Sequence, residues 1–368
     1  MRKKIVALLL LTILSTCLAA CGSSDSKSAS TVSKNTQSAS NTQSTSTQKP
    51  AASVLDVKSI PAPSLEKNLV SEPTTQGITV YLPPSYQTGE KSYPVVYFLP
   101  GFGDDYAAYG NSFKDAMDRL IASSKVKEMI VVTINGNNVI GGSFFYNSPT
   151  TGNWEDFVVK DVVSYVDTNY RTIKDAKSRG ISGHSMGGFG AINAAMHNPE
   201  VFSSLYSMSP GIFAPGGLEE SPFALTEEAV NTLETLTSYI QGDFANAYGA
   251  AFLPDSKGPF MKYPLKKVNG KIVKDEALAK QWESGYGGID EKIKKYGDNL
   301  KKFKSIVIEY GKQDEFAWIP KGCDYFSQKL TEAGITNKLV SFDGNHQDQA
   351  IKRYEEFALP FFSEQLAF

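Results

Sequence analysis

The chain has 368 residues, 41% of them hydrophobic and 11% aromatic, enough for a substantial core in one large domain or two small ones. A formal net charge of −2 gives no electrostatic case for a nucleic-acid partner. Three cysteines in a chain this long exclude a disulfide scaffold.

The first twenty residues read as an export signal. Arg2, Lys3 and Lys4 form a charged start, and Ile5 to Leu14 form an apolar run too short to span a bilayer comfortably. Leu18-Ala19-Ala20-Cys21 follows, resembling the lipobox of bacterial lipoproteins, in which the cysteine is lipidated and becomes the new N-terminus. The expected partner is therefore a membrane, reached through lipid on Cys21, on the outer face of the cell membrane. Cys323 then has no partner for an internal disulfide and reads as a small buried hydrophobe. Residues 21–52 are nearly all Ser, Thr, Gln, Asn, Ala and Lys; they cannot bury a core and read as a disordered tether.

The folded domain is expected over 53–368. Ile78 to Leu82, Pro94 to Leu99, Met129 to Ile134, Ser204 to Met208, Ser305 to Tyr310 and Lys338 to Phe342 read as strands, several of them continuous apolar runs suited to burial on both faces. Between them lie helical patterns. Over 154–169, Trp154, Phe157, Val158, Val162, Tyr165 and Val166 recur at spacings of three and four; 322–334 and 347–363 also read as helices. Alternating strands and helices predict an α/β fold, with a mostly parallel central sheet covered on both faces. Residues 211–302 break this rhythm and read as an insertion over one end of the sheet, either a surface excursion or a substrate-contacting lid. Within it, Asn269-Gly270 signals a hairpin turn and Val273 to Gly285 a helix.

The strongest local signal is Gly183-His184-Ser185-Met186-Gly187, a G-x-S-x-G pattern. Such a serine sits on a sharp strand-to-helix turn, and side chains two residues to either side would clash with the neighbouring elements. Ser178 to Ser182 before it reads as a short strand, and Phe189 to His197 after it as a helix. A serine hydroxyl needs a base. Of the three histidines, His184 lies inside the turn, His197 ends the following helix and reads as a cap or a solvent-facing group, and His346 follows the last strand. His346 is thus the expected base. Asp314, three residues beyond the strand ending at Gly311, is the expected orienting acid, ahead of Glu315 and Asp343. The amides of Met186 and Phe102, the latter in Pro100-Gly101-Phe102-Gly103-Asp104-Asp105, are the expected oxyanion donors. Phe144, Tyr146 and Trp154 follow the Met129–Ile134 strand and are candidates either for substrate contact or for packing the insertion down. No His, Cys or carboxylate spacing suggests a metal, and no cofactor is implied.

These residues as a set, with Val80-Tyr81-Leu82-Pro83-Pro84, Tyr97 to Asp105 and the closing Leu359-Pro360-Phe361-Phe362, resemble the esterase-D / feruloyl-esterase / antigen-85 group of α/β-hydrolases. The resemblance covers about 60–210 and 303–366 and implies the α/β-hydrolase fold. It also implies serine-dependent hydrolysis of acyl esters, often on carbohydrate (feruloyl or acetyl esterase chemistry), with an ester substrate as the small-molecule partner. Alternatives are acyl transfer of the antigen-85 type, or a non-catalytic carbohydrate-binding lipoprotein. Two departures stand out: Pro100-Gly101 replaces the His-Gly of many members, and the stretch from Ser185 to Asp314 is longer than in compact ones.

Overall fold

The computed structural model describes residues 52–347 and 349–368. The export segment, Cys21 and most of the tether lie outside the described residues. Among the described residues no helix is long and apolar enough to cross a membrane.

Eight strands form the central sheet. They are β1 (Val54–Pro61), β2 (Thr75–Leu82), β3 (Val95–Leu99), β4 (Ile130–Ile134), β5 (Arg179–His184), β6 (Ser204–Met208), β7 (Ser305–Gly311) and β8 (Lys338–Phe342). Their spatial order is β1-β2-β4-β3-β5-β6-β7-β8. The first two pairings are antiparallel and the rest parallel. Every residue of β3, β4, β5 and β6 is buried, as their unbroken runs require, whereas β1 and β8 at the two edges alternate or lie open. β1 escapes the sequence reading because Asp56, Lys58 and Ser59 break its apolar pattern.

The period of two divides the core between two faces. Val96 and Phe98 pack with helix α1 (Tyr106–Ala122) and with Tyr354 and Phe362 of a C-terminal helical segment, residues 350–365. Val95, Tyr97 and Leu99 face the opposite layer. That layer holds α2 (residues 154–169, π-wound over Phe157–Val162) and α3 (Met186–His197). α1 opens on an Asx cap, Asp105 accepting from the amides of Ala107 and Ala108. Cys323 is fully buried, and burial pushes its thiol pKa well up.

The insertion is a packed layer. It contributes α4 (Glu227–Leu233), α5 (Phe244–Phe252), a hairpin pairing Leu265–Val268 with Lys271–Lys274, α6 (Glu276–Ser284) and α7 (Ile289–Leu300). The hairpin turns where expected, with φ of 50° at Asn269 and 76° at Gly270. Tyr248 and Trp282 are the hubs. Tyr248 donates to the Trp282 carbonyl at 2.7 Å and accepts from the Tyr286 amide at 3.0 Å, and the Trp282 indole donates to the Phe223 carbonyl at 2.8 Å. α7 runs against α3, and α8 (Trp318–Glu332) follows β7.

Candidate active site

The parallel register pairs Leu99 with Gly183, and Met208 with both His184 and Glu309, so these strands finish at one end of the sheet. The segments that follow β3, β5, β7 and β8 therefore emerge together, and these four hold Phe102, Ser185, Asp314 and His346.

Ser185 ends β5 and opens α3 with φ 54° and ψ −115°, a strained conformation for a residue with a side chain. The turn is held by its backbone. The Ser185 amide donates to the Met208 carbonyl at 2.9 Å, and the Ser185 carbonyl accepts from Phe189 at 3.1 Å and Gly211 at 3.2 Å. The flanking glycines are sterically required: a Cβ on Gly187 would land on the Leu99 carbonyl, and one on Gly183 on the carbonyl of Gly187. Met186 is buried beneath the turn, its sulfur accepting from the Phe144 amide at 3.3 Å.

His346 Nδ1 lies 2.8 Å from Asp314 Oδ2. The Asp314 side chain is fully buried, and its other oxygen accepts from the Phe316 amide at 2.9 Å. This pairing leaves Nε2 as the ring nitrogen open to other chemistry. The two other acids near His346 have different roles. Glu315 accepts from the His346 backbone amide at 3.1 Å, and Asp343 is a surface group paired with Lys312. His184 joins the base's loop to the elbow, its Nε2 lying 2.9 Å from the His346 carbonyl and its ring centre 4.8 Å from that of His346. Burial, and secondarily the neighbouring His346, lowers the pKa of His184 to about 3, so it stays neutral beside any charge on His346.

The loop after β3 abuts the elbow; a Cβ on Gly101 would sit 3.4 Å from that of Ser185. Asp104 shapes this loop. Its Oδ2 accepts from the Gly101 amide at 3.0 Å and from the Tyr109 hydroxyl at 3.1 Å, and its carbonyl accepts from Asn137 at 2.9 Å. Neither the Phe102 nor the Met186 amide donates to a protein acceptor among the described residues, so both remain available. Asp104 and Asn137 are positioning residues that the sequence reading passed over. The Gly-x-Gly-Asp sequence, with an acid placed to close an Asx turn, was the available signal.

The three aromatic candidates separate. Phe144 is fully buried, its ring 5.5–6.3 Å from those of Phe223, Tyr248, Phe252 and Tyr286. It pins the insertion to the body and is not open to substrate. Trp154 is also fully buried, in the α2 core with its indole N–H on the Thr151 carbonyl, so of the two roles left open for it packing is the one observed. Tyr146 is half-buried and lines a cleft on the far side of α3. What lies over the candidate oxyanion loop is instead Phe244 of the insertion, stacked on Phe102 with ring centres 4.1 Å apart. A further difference concerns His197, which is partly exposed and is held by a buried partner on one side. Its Nδ1 lies 2.9 Å from Glu155, a buried carboxylate that also accepts from Asn193 and Asn198. Among the described residues no group of three or more His, Cys, Asp or Glu is placed to hold a metal.

A family model described as "Putative esterase" matches residues 73–352. Esterase Rv1288 of Mycobacterium tuberculosis is 33% identical over 138 residues, which are 36% of this chain and 28% of that protein. An endo-1,4-beta-xylanase/feruloyl esterase of Xylanibacter ruminicola is 29% identical over 153 residues, 39% of this chain and 21% of that one. The chain thus matches about a quarter of the length of these relatives. Among solved structures, a ferulic acid esterase superposes with a TM-score of 0.59 at 22% identity, covering 86% of this chain and all of that one, which shows the α/β-hydrolase fold.

Proposed function

The chain belongs to this esterase family, and from that premise we propose that it is a serine carboxylic-ester hydrolase using Ser185, His346 and Asp314. The observation that carries the reading is the 2.8 Å contact of His346 Nδ1 with buried Asp314, on a loop bonded to the strained Ser185 elbow. Asp314 holds the Nδ1–H tautomer, so Nε2 accepts the Ser185 proton as Oγ attacks the ester carbonyl. The carbonyl π bond opens to an oxyanion that the Met186 and Phe102 amides stabilise. Collapse breaks the bond to the alcohol oxygen, which takes the proton from His346. Water, deprotonated by the same nitrogen, then releases the acid and restores Ser185.

The substrate class is an acylated saccharide or a small acyl ester. Support comes from the name of the xylanase/feruloyl esterase relative and from the aromatic pair Phe102 and Phe244 beside the site. Export and lipidation at Cys21 place the enzyme on the outer face of the cell membrane, with residues 21–52 as tether and 53–368 as the hydrolase domain. Cys21→Ala should then move the protein from the membrane fraction into the medium; retention in the membrane fraction would sink the anchor.

The activity test is turnover of p-nitrophenyl acetate, methyl ferulate and acetylated xylan by the wild type beside Ser185→Ala. The proposal expects turnover of at least one ester by the wild type and loss of a factor of about 10⁴ to 10⁶ in the variant. Equal rates would remove Ser185 from the chemistry. Acyl transfer to added sugar in place of acid release would reassign the reaction.

A further inference from the structure

The cleft of about 700 Å³ on the far side of α3 does not include Ser185. It opens where the insertion meets the body, with His197 from α3, Tyr146 from the loop after β4, Gln281 and Glu283 from α6, and Lys292 and Tyr296 from α7. We infer that this cleft is a second, non-catalytic binding site, and that its ligand is a neutral saccharide.

Size and position come first. The volume falls within the range of small-molecule sites, about 300–1,000 Å³, and seams between packed units are common places for them. The lining is also built rather than incidental. Glu155, only 6% exposed, receives three side-chain donors and thereby fixes His197, whose ring meets Tyr296 edge-on at 4.5 Å. Nδ1 is committed to Glu155, so Nε2 is the free ring nitrogen, and His197 is 26% exposed by its side chain. Burying a carboxylate is costly unless it is fully bonded, and here that arrangement orients one imidazole at the edge of a cleft.

The ligand class follows from charge and shape. Lys280, Lys292 and Lys295 line the cleft together with Glu283, Asp290 and Glu291, so formal charges cancel and no strongly charged ligand is favoured. Lys292 weakens the cationic side further. Its ammonium donates to the Gly285 carbonyl at 2.7 Å, and burial lowers its pKa to about 7. What remains is a mixture of donors and acceptors (His197, Gln281, Glu283, Lys292) with the aromatic rings of Tyr146 and Tyr296 in the same lining. Rings that carry hydroxyl groups on their edges and C–H bonds on their faces match that mixture. The Gln281 amide N–H is spent on the Phe252 carbonyl at 3.2 Å, which leaves its oxygen as an acceptor.

The inference stands apart from the Ser185 chemistry, and one experiment keeps the two separable. The full chain carrying Ser185→Ala is titrated calorimetrically with xylotetraose, cellotetraose and chitotetraose, none of which carries an O-acyl ester. At least one should bind saturably. Tyr296→Ala and, separately, Glu283→Ala, each with an unchanged melting temperature, should weaken that binding at least tenfold. In the Ser185 background the same two variants should leave p-nitrophenyl acetate turnover at its parent level. Absence of saturable binding by all three sugars, or binding that both cleft variants leave unchanged, overturns the saccharide site. Absence of turnover of p-nitrophenyl acetate, methyl ferulate and acetylated xylan alike by the Ser185 protein overturns the esterase reading and leaves the binding result standing.

Discussion

Two histidine–carboxylate pairs lie in this chain, and they are nearly the same pair. His346 meets Asp314 and His197 meets Glu155, each through Nδ1, at 2.8 and 2.9 Å, with both carboxylates buried. Their surroundings differ. Asp314 and His346 lie at the edge where β5 delivers Ser185, next to two free amides. Glu155 and His197 lie at the other end of α3, where the carboxylate is filled by the amides of Asn193 and Asn198 and no elbow is near. An oriented imidazole is therefore not chemistry by itself; it becomes so when a strained nucleophile and oxyanion donors share its neighbourhood.

The comparison breaks most visibly through the acids. Asp314→Asn should lower kcat by about 10⁴, because the wrong tautomer of His346 is then stabilised, while Glu155→Gln should leave kcat within about twofold. Steady-state kinetics on p-nitrophenyl acetate decides it, and a comparable loss from both would erase the distinction. Removing either imidazole sharpens it further. His346→Ala should cost a factor of about 10³ or more in kcat/KM, and His197→Ala should leave kcat/KM unchanged. Stability should show the reverse ranking for the carboxylates' neighbours. Glu155→Ala leaves the buried Asn193 amide without its acceptor, at a cost of about 2 to 4 kcal/mol in urea unfolding, with kcat retained.

The third histidine gives the effect most narrowly confined to acid pH. The pKa of His184 is lowered to about 3 in the fold against about 6.5 when unfolded, so between these values the unfolded chain binds the extra proton. The stabilisation is complete above about pH 6.5 and is lost as pH falls toward 3, at no more than about 1.4 kcal/mol per pH unit. His184→Gln should flatten the acid limb of the stability curve over that window, and an unchanged limb would mean that His184 already titrates normally.

The elbow and the inner strands were readable because their constraints are local. Two glycines and a serine sit within five residues, and strands buried on both faces are uninterrupted apolar runs. His346 was singled out by elimination among three histidines, and it lies against Asp314. The His197–Glu155 pair was not, since its partners lie 42 residues apart on two helices and share no pattern. The insertion was legible at Asn269-Gly270 and over α6, where turn and periodicity are local. α5 was missed because Phe244, Tyr248 and Phe252 serve an aromatic cluster assembled across the whole segment, and α4 because it is short and buries only Val230. α7 was legible and passed over, since Ile289, Ile293, Tyr296 and Leu300 recur at helical spacing. Phe144 and Trp154 stood open between substrate contact and packing, because a large aromatic at the end of a sheet looks alike in either role; both are buried in packing. Asp104 was overlooked because its role runs through the Gly101 and Tyr109 bonds that shape its loop.

The strand order has a consequence for the timing of synthesis. The elbow and both candidate oxyanion amides are complete once β5 and the start of α3 exist, but the acid follows β7 and the base follows β8, the last strand on its edge of the sheet. A chain still emerging from the ribosome therefore carries a serine with no partner to activate it. On the proposed chemistry, whatever order the other parts fold in, each molecule stays inert until β8 has joined β7 and carried His346 to Asp314. Under the proposed export, a host that threads the chain outward unfolded would thus make no working hydrolase on the side where it is synthesised.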